Sequence, residues 1–332
     1  MSIFYIFTFI YNFCFLILFK RISKILNIFD EPNQKRKIHK IKIANIGGVI
    51  IFSNLFFIFL FSYFINDFKL IKLFSTEREF IVFLFFSLMF FLVGILDDKY
   101  DLNANYKFLI FCCLTYLIVS FDNNLVVKNI DFSFTSKIIN IENISIFFTI
   151  LAFLLFINAF NMFDGINLLA SFYSLFLFSV FFFRNVYPSL CIILIISILF
   201  FSFLNFKNKC FFGNSGSYLI AFIICYFSIK SANNFKALKA DEIFLMMLIP
   251  GVDLLRLTIN RILYKKNPFS ADRKHFHHLL LNKYKFTKTL FIILSLIILP
   301  NLISLILGYS IYLVLFTLII YSYLINKSHK LN

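Results

Sequence analysis

The sequence predicts an all-α, polytopic integral membrane protein with about 11 (10–11) transmembrane helices. Three observations support this fold class. Hydrophobic residues make up 61% of the 332 positions and charged residues only 14%, which is too apolar for a soluble globular protein. Apolar segments long enough, or nearly so, to cross about 30 Å of hydrocarbon recur along the chain. The polar loops between these segments differ strongly in their content of Lys and Arg.

Eleven apolar windows account for the predicted helices. They lie near residues 3–19, 46–65, 80–96, 108–121, 144–160, 166–183, 188–204, 217–229, 243–260, 288–306 and 308–325. An odd number of spans places the two termini on opposite sides of the membrane. Because the windows form one continuous series, we expect residues 1–332 to form a single transmembrane domain.

The distribution of Lys and Arg predicts which side of the membrane each loop faces. If the N-terminus lies outside, the cytoplasmic segments hold 23 of the 32 basic residues and the outer segments hold 9. The positive-inside rule therefore favours an outer N-terminus and a cytoplasmic C-terminus. The net charge of +16 is then explained by topology and by contact with anionic headgroups, so no nucleic-acid partner is expected. We expect a multi-pass protein of the cell membrane, that is, the inner or plasma membrane.

Two loops have a distinctive composition. The outer segment 122–143 alternates Val, Ile, Phe and Thr with polar residues, which predicts an external loop with a small β-hairpin. The cytoplasmic segment 261–287 is rich in basic residues and contains three of the five histidines of the chain, His275, His277 and His278. We therefore expect it to be a basic, histidine-containing loop at the cytoplasmic face.

Polar clusters follow or precede several apolar segments, and all of them fall on the predicted cytoplasmic side. They are 35–39, 97–101, 158–167, 213–217 and 272–278. An unpaired polar group in hydrocarbon costs several kcal/mol, so such clusters are functional candidates. Transporters place their polar groups near the middle of the bilayer. Clustering on one face instead predicts an enzyme with an active-site cleft that acts on a cytoplasmic substrate at the membrane surface.

Asp97 and Asp98 are adjacent carboxylates at the end of a predicted helix. Two carboxylates so close repel each other, so one could have a raised pKa and act as a base, or both could bind a cation. The alternative is a solvated pair of loop acids without a catalytic role.

Asn158, Asn161 and Asp164 are spaced at i, i+3 and i+6, which predicts one shared helix face. Oxygen ligands at this spacing suit Mg²⁺, which commonly binds one or two protein oxygens together with substrate phosphates. Gly165 would allow a close approach of the backbone. The alternative is a polar seam in helix packing, because asparagines also form hydrogen bonds between membrane helices.

The segment 213–217 is a small polar turn that enters a predicted helix, and its backbone N–H groups could receive an anion. A simple turn with an N-cap serine explains it equally well.

The cluster 272–278 follows several arginines and lysines and contains three histidines. His275 and His278 share a helical face with Asp272, but the basic neighbours would repel zinc. Histidines among arginines are better suited to a diphosphate. A basic loop that binds lipid headgroups is the alternative.

Together these motifs resemble a known family. They appear in the order Arg36-Lys37-Ile38-His39 with Gly47-Gly48, Leu96-Asp97-Asp98-Lys99-Tyr100-Asp101, Asn158-Ala159-Phe160-Asn161-Met162-Phe163-Asp164-Gly165, Phe211-Phe212-Gly213-Asn214-Ser215-Gly216-Ser217, and Pro250 to Asp253 followed by Arg261 and Asp272-Arg273-Lys274-His275-Phe276-His277-His278. The sequence resembles the polyprenyl-phosphate N-acetylhexosamine-1-phosphate transferases of glycosyltransferase family 4, the superfamily that includes phospho-MurNAc-pentapeptide translocase. The resemblance covers about residues 30–285. The histidine motif and the length favour the branch that initiates O-antigen or related surface glycans.

This resemblance implies a reaction and its partners. The phosphate of a membrane polyprenyl phosphate, such as undecaprenyl phosphate, attacks the β-phosphate of a UDP-HexNAc, and UMP leaves. The HexNAc would be GlcNAc or a 6-deoxy sugar, and the lipid-linked product starts a cell-surface glycan. The implied cofactor is Mg²⁺, with Mn²⁺ as an alternative, and a homodimer is compatible with the resemblance.

The resemblance also implies roles for individual residues. The implied catalytic residues are Asp97, Asp98, Asp164, His275, His277 and His278. The implied substrate-binding residues are Arg36, His39, Asn158, Asn167, Phe211, Arg261, Asp272 and Arg273. The implied metal ligands are Asn161, Asn214 and Asp164.

Three positions depart from the pattern of the family. Asn214 stands where the family usually has a metal-binding Asp, and an amide oxygen without charge predicts weaker Mg²⁺ binding. Asn167 stands where a second Asp is usual, and Ala44 replaces a proline before the glycine pair. Two alternatives to an active transferase therefore stay open: a transporter or flippase of lipid-linked intermediates, and a catalytically inactive homologue.

Overall fold

A computed structural model describes residues 2–32, 41–64, 74–265 and 274–329. Within these residues the chain forms twelve α-helices and four short strands. The helices are α1 (Ser2–Leu26), α2 (Gly47–Phe64), α3 (Glu77–Tyr100), α4 (Ala104–Phe121), α5 (Ser145–Phe163), α6 (Leu169–Phe183), α7 (Pro188–Phe206), α8 (Gly213–Asn233), α9 (Ala240–Leu263), α10 (Phe276–Leu281), α11 (Phe286–Leu307) and α12 (Ser310–His329). The strands are β1 (Phe29–Asp30), β2 (Ile43–Ala44), β3 (Asn129–Asp131) and β4 (Ile138–Asn140).

Each of the eleven apolar windows falls in a helix of its own, and α10 is a short additional helix. Eight of the described helices are long and apolar enough to cross a membrane, and α2 and α6 are shorter apolar helices. The remaining long helix, α9, carries five charged residues along its 24 positions. The chain is therefore an all-α, polytopic membrane protein, as the sequence predicts. The exact number of spans and the orientation stay predictions.

Helix α8 lies at the centre of the bundle and is buried along almost its whole length, where it contacts α2, α3, α5 and α6. Two glycines allow this close packing. A Cβ on Gly94 of α3 would lie 2.3 Å from Ser215 Cα, and a Cβ on Gly48 of α2 would lie 2.5 Å from Gly216 N. Small residues let membrane helices approach to backbone contact. The first turn of α8 is thereby held against the ends of α2 and α3.

Phenylalanine fills much of the space between the helices. Phe90 of α3 and Phe222 of α8 stack with ring centroids 4.7 Å apart, and Phe83 meets Tyr226 edge-on at 5.0 Å. These rings are almost completely buried. Such pairs add a small stabilisation to the burial of their apolar area. The abundance of Phe therefore serves helix packing in this bundle.

Two pairs of strands connect the helices. Strand β2 pairs with β1 and also forms a parallel bridge from Ala44 to Cys210. Phe211 N donates to Ala44 O at 2.9 Å, and Gly47 N donates to Phe211 O at 3.0 Å. This bridge ties the entrance of α2 to the entrance of α8. At the other end of the bundle, β3 and β4 form an antiparallel hairpin within 122–143, where the sequence predicts one.

A buried ionic cluster lies near that other end of the bundle. Lys230 of α8 is fully buried, and its Nζ lies 2.9 Å from Glu79 Oε1 and 2.8 Å from Asp122 Oδ2. The hydroxyl of Tyr187 donates to the same Glu79 oxygen at 2.5 Å. Because charges and hydroxyls in an apolar bundle need partners, this cluster fixes the relative positions of α3, α4, α7 and α8.

Candidate active site

The end of α3 meets the beginning of α8 through the Asp98 carboxylate. Asp98 Oδ1 accepts a hydrogen bond from Asn214 N at 2.8 Å, and Oδ2 accepts one from Ser215 N at 3.0 Å. Gly213, with a φ of +67°, makes this contact possible, since a Cβ there would lie 2.6 Å from Asp98 Oδ2. We expected these N–H groups to be available for an anion. The anion that occupies two of them is the protein's own carboxylate, which the positive end of α8 favours.

Asp97 is oriented differently from its neighbour. Its carboxylate accepts hydrogen bonds from Leu102 N at 2.9 Å, Lys107 Nζ at 3.2 Å and Tyr218 OH at 2.6 Å. Successive residues on a helix point about 100° apart, so adjacent side chains do not share a face. Asp98 therefore reaches the entrance of α8, while the buried Asp97 joins the ends of α3, α4 and α8. The side chains of this pair have separate partners.

The last turn of α5 lies beside the first turns of α8. Asn161 Oδ1 accepts a hydrogen bond from Ser217 Oγ at 2.7 Å. Asn158 donates to Leu154 O, one turn earlier on its own helix, at 2.8 Å. The expectation that Asp164 continues the same helix face was wrong. The helix ends at Phe163, because the chain turns at Asp164 (ψ 51°), so Asp164 lies beyond the helical face.

Asp164 has an environment that suits a cation. Burial and, to a smaller extent, the negative charge of Asp98 together raise the pKa of the Asp164 carboxyl to about 7. In the described part of the chain, no hydrogen bond engages the side chain of Asp164 or of Asn214. These side-chain oxygens remain able to accept a proton, a metal ion or a hydrogen-bond donor.

Asn167 contacts the end of α7 and the turn that follows it, and Phe211 comes after this turn in the chain. Asn167 Nδ2 donates to Asn205 O at 3.0 Å and to Asn208 Oδ1 at 2.5 Å. Leu168, in the left-handed region with a φ of 66°, donates its N–H to Asn205 Oδ1 at 2.7 Å. Asn167 therefore fastens the α5–α6 loop to the end of α7, while the half-buried Phe211 lies in the bridge to β2.

The described histidine segment 274–278, called the histidine loop below, contacts the α5–α6 loop at Gly165. His277 is buried, and its Nε2 lies only 2.0 Å from the position that a Cβ on Gly165 would occupy. No partner among the described residues forms a hydrogen bond with this nitrogen. Burial lowers the pKa of His277 well below its usual value, and the neighbouring histidines lower it further, so the ring is neutral. The ring centroids of His277 lie 5.6 Å from His275 and 4.3 Å from His278.

Asp253 of α9 is a site residue that our sequence reasoning left without a role. Its Oδ2 lies 3.1 Å from His275 Nδ1, and both of its oxygens accept from Phe276 N at 3.2 and 3.1 Å. A carboxylate in the interior of a helix, flanked by apolar residues, is a signal that could have identified it. Asn45, whose amide donates to Asp98 Oδ1 at 3.4 Å, gave no such signal. Arg261 is buried in the last turn of α9.

Comparison with known proteins agrees with this geometry. The sequence profile of glycosyl transferase family 4 matches residues 80–232, which include Asp98, Asn161, Asp164 and Asn214. An undecaprenyl-phosphate alpha-N-acetylglucosaminyl 1-phosphate transferase of Thermotoga maritima is 30% identical over 287 residues, which cover 85% of this chain and 83% of the relative. The chain belongs to the polyprenyl-phosphate N-acetylhexosamine-1-phosphate transferase family.

Other members of the family are similar over the same extent. The relative of the same name from Escherichia coli O157:H7 is 26% identical over 301 residues, covering 87% of this chain and 78% of its own length. The relative from Salmonella typhi is 25% identical with the same coverage. Membership of this family makes sugar-phosphate transfer a better supported activity than transport.

Within this transferase, the structure brings together a subset of the residues that the sequence identified. Asp98, Asn161, Asp164, Asn214 and His277 line one junction between α3, α5, α8 and the histidine loop. The side chains of Asp97 and Asn167 form hydrogen bonds that hold neighbouring helices and loops around it. Asn158 instead donates within α5. Four further candidates, Arg36, His39, Asp272 and Arg273, lie outside the described residues.

Proposed function

We propose that this transferase moves HexNAc-1-phosphate from a UDP-HexNAc to a polyprenyl phosphate, with undecaprenyl phosphate as the lipid and GlcNAc as the first sugar to test. The observation that carries the proposal is the Asp98 carboxylate, held by two backbone N–H groups of α8 and facing the charge of Asp164. The names of the relatives support the lipid and the sugar. The positive-inside rule supports a site that faces the cytoplasm. The histidine motif and the length of the chain, which resemble the O-antigen branch of the family, support a role in initiating a surface glycan.

The chemistry is a phosphoryl transfer at the β-phosphorus of the donor. An oxygen of the lipid phosphate forms a new bond to this phosphorus, and the bond to the UMP oxygen breaks. Catalysis then depends mainly on positioning and on neutralising charge. Asp98 is held in place by Asn214 N and Ser215 N, so its remaining lone pairs can accept the proton of the lipid phosphate and orient it.

The residues present fit a magnesium ion. Mg²⁺ is commonly held by one or two carboxylates together with substrate phosphates. Asp98 and Asp164 supply two carboxylates, and Asn161 and Asn214 supply amide oxygens beside them. A divalent cation held by these residues would relieve the repulsion between Asp98 and Asp164 that contributes to the raised pKa of Asp164. When bound, Mg²⁺ or Mn²⁺ would supply positive charge to the diphosphate.

The histidine loop supplies a neutral hydrogen-bonding group to the same place. His277 Nε2 is buried without a hydrogen-bond partner among the described residues and faces the loop that contains Asp164. A buried polar atom of this kind is costly unless a ligand satisfies it. We assign His277 to the sugar or diphosphate of the donor, with His275 and His278 supporting its ring.

The experiment that tests this proposal uses the full-length protein in lipid nanodiscs. Undecaprenyl phosphate, UDP-GlcNAc and Mg²⁺ should yield UMP and a lipid-diphospho-sugar, detected by mass spectrometry. Asp98→Asn should lower turnover by about 100-fold or more, since it removes the charge that acts at the reacting phosphate. Asp101→Asn is a matched control, because this exposed residue has a left-handed conformation that Asn also adopts. Equal turnover in both variants would remove Asp98 from the mechanism.

Asn214→Asp distinguishes an active enzyme from an inactive homologue. Asp at this position replaces an uncharged amide by a negatively charged carboxylate. The Mg²⁺ concentration for half-maximal activity should therefore fall by about tenfold. UDP-GlcNAc and a panel of 6-deoxy UDP-HexNAc donors should be tested with both proteins. If neither protein transfers any of these sugars, while both are folded, the inactive homologue would be the correct interpretation.

A further inference from the structure

The histidine loop is fixed to α9 by the Asp253 carboxylate. Asp253 is only 6% exposed, and it contacts both His275 Nδ1 and Phe276 N at the start of α10. A carboxylate at Nδ1 sets the tautomer and the orientation of an imidazole ring. The orientation of His275 is therefore decided at α9, outside the loop itself.

Helix α12 holds this carboxylate from the other side. The hydroxyl of Tyr321 donates to Asp253 Oδ1 at 2.8 Å and accepts from Arg256 Nε at 2.9 Å. Arg256 Nη2 in turn donates to Asp253 Oδ1 at 2.7 Å and to Lys274 O at 2.7 Å. The Tyr321 ring also packs on Phe276, with centroids 4.9 Å apart. The Tyr321 hydroxyl thus bridges Asp253 and Arg256, which both form hydrogen bonds with the backbone of residues 274–276.

The histidine held in this way lies beside the histidine at the reacting centre. The rings of His275 and His277 are nearly parallel, with an interplanar angle of 6°. His277 in turn lies against Gly165. We propose that Tyr321 is a positioning residue of this transferase, which acts through Asp253 to keep His275 and His277 over the α5–α6 loop. This inference rests on the proposed function, in which the histidine loop binds the donor.

The physical reason is the number of donors around Asp253 Oδ1. Arg256, Tyr321 and Phe276 all donate to this oxygen. Without the Tyr321 hydroxyl, Arg256 Nε loses an acceptor and Asp253 loses a donor in a buried network. The carboxylate is then free to turn towards Arg256 and away from His275. The consequence falls on the histidine loop, so it concerns the sugar nucleotide and leaves the lipid phosphate at Asp98 unaffected.

The kinetic test is Tyr321→Phe, which removes the hydroxyl and keeps the ring packed on Phe276. We expect the KM for UDP-GlcNAc to rise by about tenfold, because the displaced histidine loop loses about one hydrogen bond to the charged donor. The KM for undecaprenyl phosphate should not change, and the thermal midpoint should fall only slightly, because one buried hydrogen-bonded hydroxyl is lost. Tyr323→Phe on the same helix is the matched control, because Tyr323 is 60% exposed and should have no effect. A KM for UDP-GlcNAc equal to that of the control would overturn the inference.

A second measurement does not depend on activity. The modification of His275 by diethyl pyrocarbonate is followed by mass spectrometry in the wild type and the variants. His275 is 7% exposed, so its modification should be slow in the wild type and in Tyr323→Phe, and several-fold faster in Tyr321→Phe and Asp253→Asn. An unchanged rate in Tyr321→Phe would refute the positioning role even if transfer is never observed. Absence of transfer in the wild type, with faster modification in the variant, would refute the proposed function alone.

Discussion

Gly165→Ala tests whether the contact between the α5–α6 loop and the histidine loop is needed for activity. The backbone of Gly165 is compatible with alanine, since its φ is not positive. A change in activity would therefore come from the added methyl group and not from a strained backbone. This methyl group would point at the buried ring of His277.

The size of the effect follows from the distances. The new carbon would lie 2.0 Å from His277 Nε2 and 2.6 Å from Cε1, whereas non-bonded atoms prefer about 3.5 Å. The ring must therefore move by roughly 1.5 Å. His277 is 2% exposed and packed between two other histidines, so the loop must move with it. Overpacking costs about 1–3 kcal/mol, and a catalytic group displaced by about 1 Å loses roughly 100-fold in rate.

The assay is UMP release from UDP-GlcNAc, together with thermal unfolding of the same nanodisc samples. We expect kcat/KM to fall roughly 100-fold in Gly165→Ala. Gly251→Ala is the matched control, because no described atom outside the backbone of α9 itself lies within 4 Å of a Cβ at this position. In a His277→Ala background, Gly165→Ala should have little further effect, since the ring it touches is gone. Activity of Gly165→Ala within twofold of the Gly251→Ala control would refute the reasoning.

Two further predictions concern buried charges. Lys230→Met removes the ammonium group that lies 2.9 Å from Glu79 and 2.8 Å from Asp122. Because two buried carboxylates then lack their cation, the free energy of unfolding should fall by about 3–5 kcal/mol. The measurement is an SDS titration, with Lys128→Met at an exposed position as the control. Adding Glu79→Gln and Asp122→Asn should recover part of that loss, and no recovery would contradict an electrostatic origin. The pKa of Asp164 is raised from 3.8 in the unfolded chain to about 7 in the folded protein. The folded protein therefore keeps this proton at pH values where the unfolded chain has lost it. In chelator-containing buffer the thermal midpoint should fall as the pH rises from 4 to 7. Asp164→Asn should flatten that slope, and an equal slope in both proteins would contradict the assigned pKa.

The sequence alone determined that the chain forms a bundle of membrane helices, because each helix depends only on the residues of its own segment. A segment in hydrocarbon must be apolar, must be long enough to cross and must satisfy its own backbone hydrogen bonds, and each of these can be counted along the chain. The hairpin at β3 and β4 was visible for the same reason, in the alternation of its residues. Polar motifs such as Asp98, Asn161 and Asp164 were visible because they interrupt apolar segments.

Only the tertiary structure decided what each polar group does. Asp97 and Asp98 are equivalent in the sequence, but only Asp98 points at the entrance of α8. The N–H groups of that entrance appeared available for a substrate anion, and Asp98 occupies two of them. The difference comes from the direction of side chains on a helix and from glycines that let backbones approach, neither of which a motif records.

The connection from α12 to the histidine loop was beyond the reach of the sequence. Tyr321 is one of 16 tyrosines and lies in an apolar helix, 68 residues after Asp253. The local sequence does not distinguish Tyr321 from Tyr323, which is 60% exposed. Which of the two finds a buried carboxylate depends on how α12 is rotated against α9. That rotation is set by packing among many side chains at once, so it exists only in the folded bundle.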